Sequence, residues 1–412
     1  MRVLLANKFF FPNAGAETVY FATRDLLREQ GHEVIDFAMR DDRNVASPYE
    51  RYFSPQRRYD GGSIVSRSRD ALATIYSLST RKSLRRLIRD AGRPDVAHLH
   101  NVYHQLTLSI IDELHAHGVP VVLTVHDSKP VCPSYKLFIN NEVCHRCVGR
   151  SPFSAIRHRC VKGSLLASTI ASVEAMVVRL RRLYESVEQL IAPSTFMAEL
   201  LVRGGIRAER IRVVPNFVRL DPHPPKPVEA DSPFIFVGRL EAVKGPQLLV
   251  EAVRRLGAEA PDVRILGDGP LARELSAAAR GLPIQFAGYV DTGRVAKEMR
   301  RARALVVPSL WEENCPMSVL EARSAGTAVV ASAAGGLREL VSDGKDGLLF
   351  QPSDPADLAR ALLMLAADDA LATEMGHAGW RSALARYSPE VHYPALIDAY
   401  EAAMRAGVAR RG

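Results

Sequence analysis

Short apolar runs alternate with longer helical patterns along most of the chain, and this alternation constrains the fold more than any other feature. Each run is rich in β-branched residues and ends at polar residues, proline or glycine, as buried strands do. Because strands separated by helices pair in parallel, the pattern predicts α/β sheets with helices on both faces. In the first half, the predicted strands lie in residues 2–7, 32–38, 96–100, 119–127 and 189–194.

A proline-rich stretch divides the alternation into two halves. Residues 219–233 carry five prolines in fifteen positions, which excludes a central strand and is typical of a stiff connector. Since 412 residues also exceed one ordinary core, we predict two doubly wound Rossmann-like domains that face each other across a cleft. In the second half, strands are predicted in residues 234–237, 263–269, 284–290, 304–309, 328–332 and 347–350. The predicted bounds are 1–218 and 234–388 for the domains, 219–233 for the linker and 389–412 for a C-terminal helix that returns to the first domain.

The charge and hydropathy of the chain limit its expected location and the classes of molecule it is expected to bind. It contains no apolar run of ~18 residues that could span a bilayer, and its first apolar stretch is too short for a secretory signal. We therefore expect a cytoplasmic protein. The net charge of +8 favours anionic partners, and basic residues cluster in 81–89, 157–162 and 179–182. These clusters are interpreted either as a solvated basic face or as a functional surface.

Two cations follow the first predicted strand of the second half. Arg239 and Lys244 lie in the loop between strand 234–237, which ends at Gly238, and the next predicted helix. Side chains of this kind, together with the positive end of a helix, can neutralise a diphosphate. Two unrelated surface cations are the alternative interpretation.

Two glutamates separated by seven residues follow a later strand. Glu313 lies in the loop after strand 304–309, and Glu321 lies in the first turns of a helix that is predicted to start near Met317. Carboxylates accept hydrogen bonds from vicinal hydroxyls, so both positions suit a sugar or a ribose. A glutamate near a helix N-terminus also stabilises the helix dipole, and for Glu321 this alternative stays open.

In order and spacing, these motifs resemble those of the family 4 glycosyltransferases, which have the GT-B fold. The resemblance covers nearly the whole chain, includes the "GDGP" turn at 267–270 and the "GYV" segment at 288–290, and is most specific over residues 313–350. It implies an anomer-retaining transferase that moves a sugar from a UDP- or GDP-sugar to a saccharide or lipid-linked acceptor in polysaccharide or glycoconjugate biosynthesis. The resemblance implies no cofactor for catalysis, and the sequence has no Asp-x-Asp metal motif.

The resemblance also assigns roles to individual residues. It implies that Arg239 and Lys244 hold the diphosphate, and that Glu321 binds the ribose. The residues implied to be catalytic are His126, which hydrogen-bonds the donor sugar, Arg239, Lys244 and Glu313, which contacts the same sugar. Those implied to bind the donor are Gly15, Ala16, Gly238, Gly267, Gly269, Val290, Asn314, Cys315, Pro316, Met317 and Glu321. Without the resemblance, a histidine at a strand end such as His126 is more often structural.

The chain departs from the family pattern at two places. Asn314 to Pro316 stand where a glycine-rich turn is usual, which leaves the identity of the donor sugar open. Val243 stands where the family often has glutamate, a change of small consequence.

A polar patch in the first domain is expected to contact the acceptor. It consists of His98, His100, Asn101 and His104.

Four of the five cysteines follow His126 closely. Cys144 and Cys147 form one C-x2-C pair, and Cys132 and Cys160 flank it singly. Four thiolates could hold a structural zinc ion, which is one interpretation of this segment. Reduced thiols without a metal are the other, and no disulfide framework is expected in a cytoplasmic protein.

A long helix with one apolar seam is predicted after the cysteines. The apolar residues recur at alternating steps of four and three; they are Leu166, Ile170, Val173, Val177, Leu180, Tyr184 and Val187. We expect this seam to pack against the domain. The neighbouring residues Arg179, Arg181 and Arg182 are left open for peripheral contact with an anionic membrane or for a lipid-diphosphate acceptor.

Two other functions are kept as alternatives. A GT-B enzyme that epimerises a nucleotide sugar would need no acceptor, and a basic zinc-containing protein could bind nucleic acid. Against nucleic acid, the chain has no basic-aromatic stacking motif and no recognition-helix pattern, and the spacing of Glu313 and Glu321 would go unexplained.

Overall fold

The chain is described by a computed structural model that covers residues 1–56, 75–220 and 225–409. Contacts divide it into two units. The first consists of Met1–Lys136, His145–Val214 and Tyr393–Gly412, and the second of Leu137–Cys144 and Pro215–His392. Of the predicted linker, residues 221–224 lie outside the described residues.

Fourteen strands are found among the described residues. In chain order they are β1 (Arg2–Ala6), β2 (Glu33–Phe37), β3 (Val96–Leu99), β4 (Val121–Thr124), β5 (Phe138–Ile139), β6 (Glu142–Val143), β7 (Gln189–Ala192), β8 (Ile211–Val213), β9 (Phe234–Val237), β10 (Val263–Leu266), β11 (Ile284–Gly288), β12 (Ala304–Val307), β13 (Ala328–Ser332) and β14 (Gly347–Phe350). All the predicted strands are present. The hairpin β5–β6 and the edge strand β8 were missed because none of them is a buried apolar run.

The helices among the described residues separate the strands of both sheets. They are α1 (Gly15–Glu29), α2 (Leu78–Ala91), α3 (Ser109–Ala116), α4 (Ser154–Arg157), α5 (Leu165–Leu180), α6 (Leu183–Ser186), α7 (Thr195–Arg203), α8 (Pro246–Leu256), α9 (Ala272–Ala278), α10 (Thr292–Arg301), α11 (Met317–Ser324), α12 (Leu337–Leu340), α13 (Pro355–Ala366), α14 (Asp369–Arg386) and α15 (Pro389–Ala409). Helix α1 ends just before Gly31, whose φ of 77° suits the position after a helix C-cap.

The first unit contains a six-stranded parallel sheet in the order β2-β1-β3-β4-β7-β8. Its strands, apart from the exposed edge strand β8, are buried on both faces, as is typical of parallel strands between helices. Helix α15 contributes Leu396 and Tyr400 to this core, next to Val3 and Leu5 of β1. The strand order reverses between β1 and β3, so the loops after these two strands diverge at the carboxyl edge of the sheet.

The second unit contains a six-stranded parallel sheet in the order β11-β10-β9-β12-β13-β14. This is the order of a dinucleotide-binding Rossmann domain, with the reversal between β9 and β12. Phe234 and Val306 of these two strands lie in one core with Leu358 and Leu362 of α13. Open sheets of this kind bind ligands beyond the carboxyl ends of the strands at the reversal, which here are the loops after β9 and β12.

The expected packing of the apolar seam is confirmed for Tyr184 and Val187, which are buried beyond α5, and is wrong for the part of the seam on α5 itself. The structure exposes Leu166, Val173 and Leu180 to solvent and buries the opposite face of the helix. That buried face consists of Ser168, Ala171, Ser172, Glu174 and Val178. Small side chains allow the helix to approach its neighbours closely, so the face with the larger apolar residues is left outside. No helix among the described residues is both long enough and apolar enough to cross a bilayer.

Part of the basic cluster at 81–89 is used inside the fold. Arg81 and Arg85 of α2 pair with the buried carboxylate of Glu113 on α3, at 3.0 and 2.7 Å. Burial opposes ionisation of Glu113, but the hydrogen bonds and charges of the two arginines outweigh it and lower its pKa. The cluster at 81–89 is therefore not simply a solvated basic face, and not all of its cations are available to bind a partner.

Backbone packing at the reversal of the second sheet requires glycine at residue 245. Gly245 has a φ of 70°, and a Cβ there would overlap the carbonyl oxygen of Pro308, which follows β12. Gly281 has a similar φ of 79°, but a Cβ there would meet nothing. Alanine at residue 281 would therefore have only the cost of the left-handed conformation, whereas alanine at residue 245 would have that cost and the cost of the steric overlap.

We predict that Gly245→Ala destabilises the protein much more than Gly281→Ala. The second change should cost only the left-handed strain of roughly 1–2 kcal/mol. The first should lower the free energy of unfolding by about 4 kcal/mol or more, because the backbone must also move. Urea unfolding followed by circular dichroism measures both, and equal losses would contradict the steric explanation.

Candidate active site

A lysine and a glutamate meet at the reversal of the second sheet. Lys244 ends a short 3-10 turn after β9, and its Nζ lies 2.8 Å from Oε1 of Glu313, which follows β12. The hydroxyl of Ser309 donates to the same oxygen at 2.7 Å. The ammonium also lies 5.1 Å from the ring centroid of Trp311, within the range of a cation–π interaction.

The charge state of Glu313 follows from these contacts. Burial opposes its ionisation, but the charge of Lys244 and the hydrogen bonds from Lys244 and Ser309 outweigh burial and lower its pKa. Glu313 is therefore an ionised carboxylate at neutral pH, and it holds the ammonium at the carboxyl edge of the sheet. The lysine side chain is one-third exposed, so its remaining N–H groups can reach an anion from solvent.

The loop that carries Glu313 is held by a pair of glycines. The amide of Gly336 donates to the carbonyl of Glu313 at 2.7 Å, and a Cβ on Gly336 would overlap the carbonyl oxygen of Asn314. Gly335 has a φ of 52°, and a Cβ there would come too close to the backbone of Glu312 and Glu313. The two glycines thus let a second loop, after β13, lie directly against the first.

The thiol of Cys315 is not a nucleophile. It is buried, and burial raises its pKa to about 12, so it stays protonated. Its carbonyl accepts a hydrogen bond from Nδ2 of Asn216 at 2.9 Å. The residue therefore serves to fix the turn, which Pro316 then ends at the N-cap of α11.

Helix α11 begins at Met317, as predicted, and Glu321 lies one turn into it. Burial raises the pKa of Glu321, and within the described residues no group donates a hydrogen bond to its carboxylate. A largely enclosed carboxylate of this kind favours a ligand that brings its own hydroxyl donors.

The other predicted residues of the second unit lie at the same edge of the sheet. Arg239 is largely exposed and pairs with Glu241 at 2.8 Å, away from the Lys244–Glu313 pair. Val290 follows β11 and is half-buried.

The predicted glycines at this edge have a structural explanation. A Cβ on Gly267 would overlap the carbonyl of Gly238, and a Cβ on Gly269 would approach the backbone of Leu240 within 2.6 Å. The "GDGP" turn thus packs against the loop after β9, and both loops keep a fixed position. The helix after this turn, α9, starts at Ala272.

In the first unit, the predicted residues follow β1 and β4. Gly15 is the first residue of α1 and is exposed, and Ala16 beside it is half-buried. His126 follows β4, and its Nε2 lies 2.8 Å from Nδ1 of His100, with the two rings stacked at 5.1 Å. Burial lowers the pKa of His126 to about 4, so its imidazole is neutral at neutral pH. Of the two facing nitrogens one must donate and the other accept, so His100 constrains the tautomer of His126.

The expected acceptor patch divides in the structure. His98 is buried and bonds to Tyr400 and Thr124, at 2.8 and 2.7 Å, which makes it a core residue. His104 has a φ of 63°, and burial lowers its pKa to about 3. The predicted contacts of the patch with an acceptor stay predictions.

Asn7 is a residue that the sequence reasoning missed. It follows β1 directly, is fully buried, and its Oδ1 accepts from the amide of Asn101 after β3 at 3.0 Å. Its Nδ2 donates to Glu17 at 3.2 Å, and burial raises the pKa of that glutamate. Asn7 thus ties together the loops at the reversal of the first sheet. Its position directly after a buried strand was the available signal.

In the second unit, reasoning from the sequence also missed Ser309, Trp311 and the glycine pair Gly335–Gly336. Ser309 ends a predicted strand, and the glycines lie in the segment whose resemblance was most specific. Tyr289 was missed as well. It precedes Val290 and is 83% exposed at the carboxyl edge of the sheet.

The four cysteines interpreted as a zinc site differ in burial. Cys132 and Cys147 are buried, and Cys144 and Cys160 are half-buried. Across residues 1–56, 75–220 and 225–409, no three or more His, Cys, Asp or Glu side chains come close enough together to hold a metal ion. Zinc binding by the four cysteines stays one interpretation, and reduced thiols without a metal stay the other.

Comparisons with known proteins agree with this architecture. Two doubly wound parallel sheets, each with its strand reversal, define the GT-B class of glycosyltransferase folds. Residues 13–222 match the model of the family described as Glycosyltransferase Family 4, and residues 232–368 match the one described as Glycosyl transferases group 1. The chain belongs to glycosyltransferase family 4.

Curated relatives show how far the likeness extends. D-inositol 3-phosphate glycosyltransferase of Xylanimonas cellulosilytica is 34% identical over 275 residues, which cover 61% of this chain and 66% of that protein. The protein of the same name in Streptomyces avermitilis is 34% identical, over 56% and 55%. The chain thus spans less than two thirds of the length of these relatives. Phosphatidyl-myo-inositol mannosyltransferase of Mycolicibacterium smegmatis is 27% identical over 96% of this chain and 92% of that one.

Solved structures are similar over the whole chain. Sucrose-phosphate synthase of Thermosynechococcus elongatus has a TM-score of 0.69 at 19% identity, covering 100% of this chain and 98% of that one. The protein HepE of Anabaena, solved with UDP and glucose, has a TM-score of 0.65 at 16% identity, covering 96% and 98%. At such identities the likeness shows the fold alone.

We predict that Lys244→Met destabilises the protein in a pH-dependent way. At about pH 7 the change should cost about 3 kcal/mol, because it leaves the buried Glu313 carboxylate without its cation. The pair stabilises the fold above the unfolded pKa of glutamate, and this contribution is lost as the pH falls through the lowered folded pKa. The difference from the wild type should therefore shrink on acidification.

Chemical unfolding at neutral and acidic pH measures this difference. Arg254→Met is the control, because it breaks an exposed ion pair with Glu251 and should cost less than about 1 kcal/mol. A cost for Lys244→Met that stays constant with pH would show that the pair does not stabilise the fold through its charges.

Proposed function

We propose that the protein transfers a sugar from a nucleotide-sugar donor, UDP- or GDP-linked, to a saccharide or lipid-linked acceptor, with retention of the anomeric configuration. The observation that carries this proposal is the Lys244–Glu313 pair at the strand reversal of the second sheet, beside the first turn of α11. That arrangement brings a cation, a helix N-terminus and carboxylates to one edge of a sheet. A nucleoside diphosphate sugar has the matching groups, namely phosphates, ribose hydroxyls and sugar hydroxyls.

The diphosphate would be held by cations and by the start of a helix. Lys244 keeps N–H groups beyond its bond to Glu313, and α11 presents the positive end of its dipole. Arg239 pairs with Glu241 at the surface, and exposed ion pairs contribute little free energy. Exchanging that carboxylate for a phosphate oxygen would therefore cost Arg239 little.

The hydroxyl groups of the donor would be bound by the two glutamates. Glu321 has no hydrogen-bond donor among the described groups, and the two vicinal hydroxyls of a ribose can supply it. Glu313, held ionised by Lys244, is suited to a hydroxyl of the sugar itself. The exposed ring of Tyr289 can stack on the base of the nucleotide. The roles of His126, Gly15, Ala16 and Val290 stay predictions from the family resemblance.

The chemistry needs the leaving diphosphate to be stabilised. As the bond between the sugar C1 and the diphosphate oxygen breaks, both electrons remain on the diphosphate and its negative charge grows. The acceptor hydroxyl forms the new bond to C1 on the same face and passes its proton to the departing phosphate oxygen. Lys244 and the N-terminus of α11 stabilise this charge without reorganisation, because the fold already holds them in place.

The names of the relatives support sugar transfer, and one of them supports a lipid acceptor. One is named as an inositol phosphate glycosyltransferase and one as a phosphatidyl-inositol mannosyltransferase, and the second acceptor is a lipid by its name. The net charge of +8 of this chain fits an anionic surface. We include peripheral contact with an anionic membrane in the proposed function.

We predict that one class of nucleotide sugar raises the thermal stability of the protein. UDP-, GDP-, ADP- and TDP-sugars are compared, and a ligand at about a hundred times its dissociation constant should add roughly 2.7 kcal/mol. The donor so found is then incubated with candidate acceptors, and NMR of the product reads the anomeric configuration. An isomerised donor without acceptor consumption would indicate an epimerase, and an unaffected melting temperature with every nucleotide sugar would contradict the donor site.

We predict that Glu321→Ala removes discrimination between ribose and dideoxyribose. The wild type should bind a nucleoside diphosphate about tenfold more tightly than its 2′,3′-dideoxy analogue, since a hydrogen bond to a charged group contributes roughly 1.5 kcal/mol or more. In Glu321→Ala this ratio should fall close to one. Calorimetric titration of both ligands against both proteins gives the four affinities.

Glu274→Ala is the matched control for this experiment. Glu274 lies in the first turn of a helix, α9, and is exposed, so it too can interact with a helix dipole. If Glu321 merely stabilised its helix dipole, both variants would lose a little stability and keep the ribose preference. An unchanged ratio in Glu321→Ala would therefore reject the ribose assignment.

A further inference from the structure

Helix α5 presents an apolar stripe to solvent. Leu166 is 65% exposed, Val173 40% and Leu180 75%, and the half-buried Ile170 and Val177 lie between them. Steps of four and three place these five residues on one side of the helix. We name them the α5 stripe. Single exposed apolar residues are ordinary, but five in line along a sixteen-residue helix form a continuous apolar surface.

The only carboxylate of α5 is turned away from the stripe. Glu174 lies on the buried face, where its Oε2 accepts from Nζ of Lys129 at 2.7 Å. Both side chains are almost fully buried. This ion pair, together with the small residues Ala171 and Ser172, fixes which side of the helix faces the core. The stripe is therefore outside for a structural reason and carries no negative charge of its own.

The ends of the stripe are basic. Residues 145–182 contain eight lysines and arginines and one carboxylate, the buried Glu174. Just before α5, Arg157, Arg159 and Lys162 are exposed. Beyond its C-terminal end, Arg181 pairs with Asp112 at 2.8 Å and Arg182 with Glu185 at 3.0 Å, so the unbalanced charge lies mainly at the N-terminal end.

A second copy of the chain does not fit this surface well. In a two-fold dimer, the same surface of both copies forms the contact. The basic ends of the α5 stripe would then lie against the basic ends or the uncharged stripe of the other copy. An anionic bilayer satisfies both parts of the surface at once. Its acyl boundary takes apolar side chains, and its headgroups take lysine and arginine.

We infer that the α5 stripe docks the protein on an anionic lipid bilayer, with Leu166, Val173 and Leu180 entering the interface and the basic residues at 157–162 contacting headgroups. This inference rests on the membrane contact in the proposed function and names the surface that makes it. It needs neither a donor nor an acceptor sugar. Its test is therefore independent of sugar transfer.

The test is co-flotation of the purified protein with vesicles of phosphatidylcholine, with and without phosphatidylglycerol. The wild type should float with the anionic vesicles, remain unbound with the neutral ones, and bind less as salt increases. In the variant Leu166→Gln, Val173→Gln, Leu180→Gln, the bound-to-free ratio should fall roughly tenfold or more, because apolar area no longer enters the bilayer. Glutamine has a high helix propensity, so these changes should leave α5 helical. The melting temperature of the variant verifies that the fold is intact.

A matched control changes three exposed apolar residues on other helices. Met364, Leu384 and Val408 are 45%, 48% and 63% exposed, and replacing them with glutamine should leave flotation unchanged. The pair Arg157→Glu and Lys162→Glu should reduce binding to anionic vesicles while the stripe is intact.

Three results would overturn the inference. If the wild type fails to float with anionic vesicles, the membrane contact itself is wrong. If it floats and the stripe variant floats equally well, another surface makes the contact. If light scattering shows a dimer in the wild type and a monomer in the stripe variant, the stripe joins two copies. None of these results bears on the nucleotide-sugar site, which the binding experiments test separately.

Discussion

The reversal of strand order between β9 and β12 determines the arrangement of the candidate active site. Where neighbouring strands connect to helices on opposite faces of the sheet, the loops after them diverge and leave a crevice. Here the amide of Leu310 donates to the carbonyl of Val243 at 2.9 Å, which joins the two loops. Lys244 and Glu313, 69 residues apart, can then form one buried ion pair. The topology supplies the proximity that chemistry at this edge requires.

Close contact between backbones makes this edge rigid. Gly267 lies against Gly238, Gly245 against Pro308, and Gly336 against Asn314, with no room for a side chain at any of the three contacts. Glycines in such loops are readily interpreted as places where a ligand approaches. In this protein they also bring one loop against the next, so that the charges and helix ends are positioned before any ligand arrives. Charges held in this way cost little reorganisation when a leaving group develops charge.

Much of the fold could be predicted because its signals are local. Buried strands appear as apolar runs, Gly31 marks the end of α1, and the motif residues follow strands directly. The contacts of the candidate sites could not be predicted in the same way. The bonds of Lys244 to Glu313, of Asn7 to Asn101 and of His100 to His126 join residues that follow different strands, and their partners depend on sheet order. Spacing along the chain likewise does not set distances between thiols, so the sequence left zinc and reduced thiols open for the four cysteines.

By itself, the sequence determined that α5 has one apolar side, that basic residues cluster near it, and that the chain has an α/β fold of alternating strands and helices. Only the tertiary structure decided which side of α5 faces the core. Periodicity predicts that a helix has an apolar face, and burying that face is favourable by about 25 cal/mol per Å² of apolar surface. It does not show which residues elsewhere in the fold can pair with the opposite face. The buried Lys129–Glu174 pair and the close packing of Ala171 and Ser172 settled the orientation. A buried carboxylate without its lysine would cost more than the exposed leucines do, so the apolar side was left to solvent.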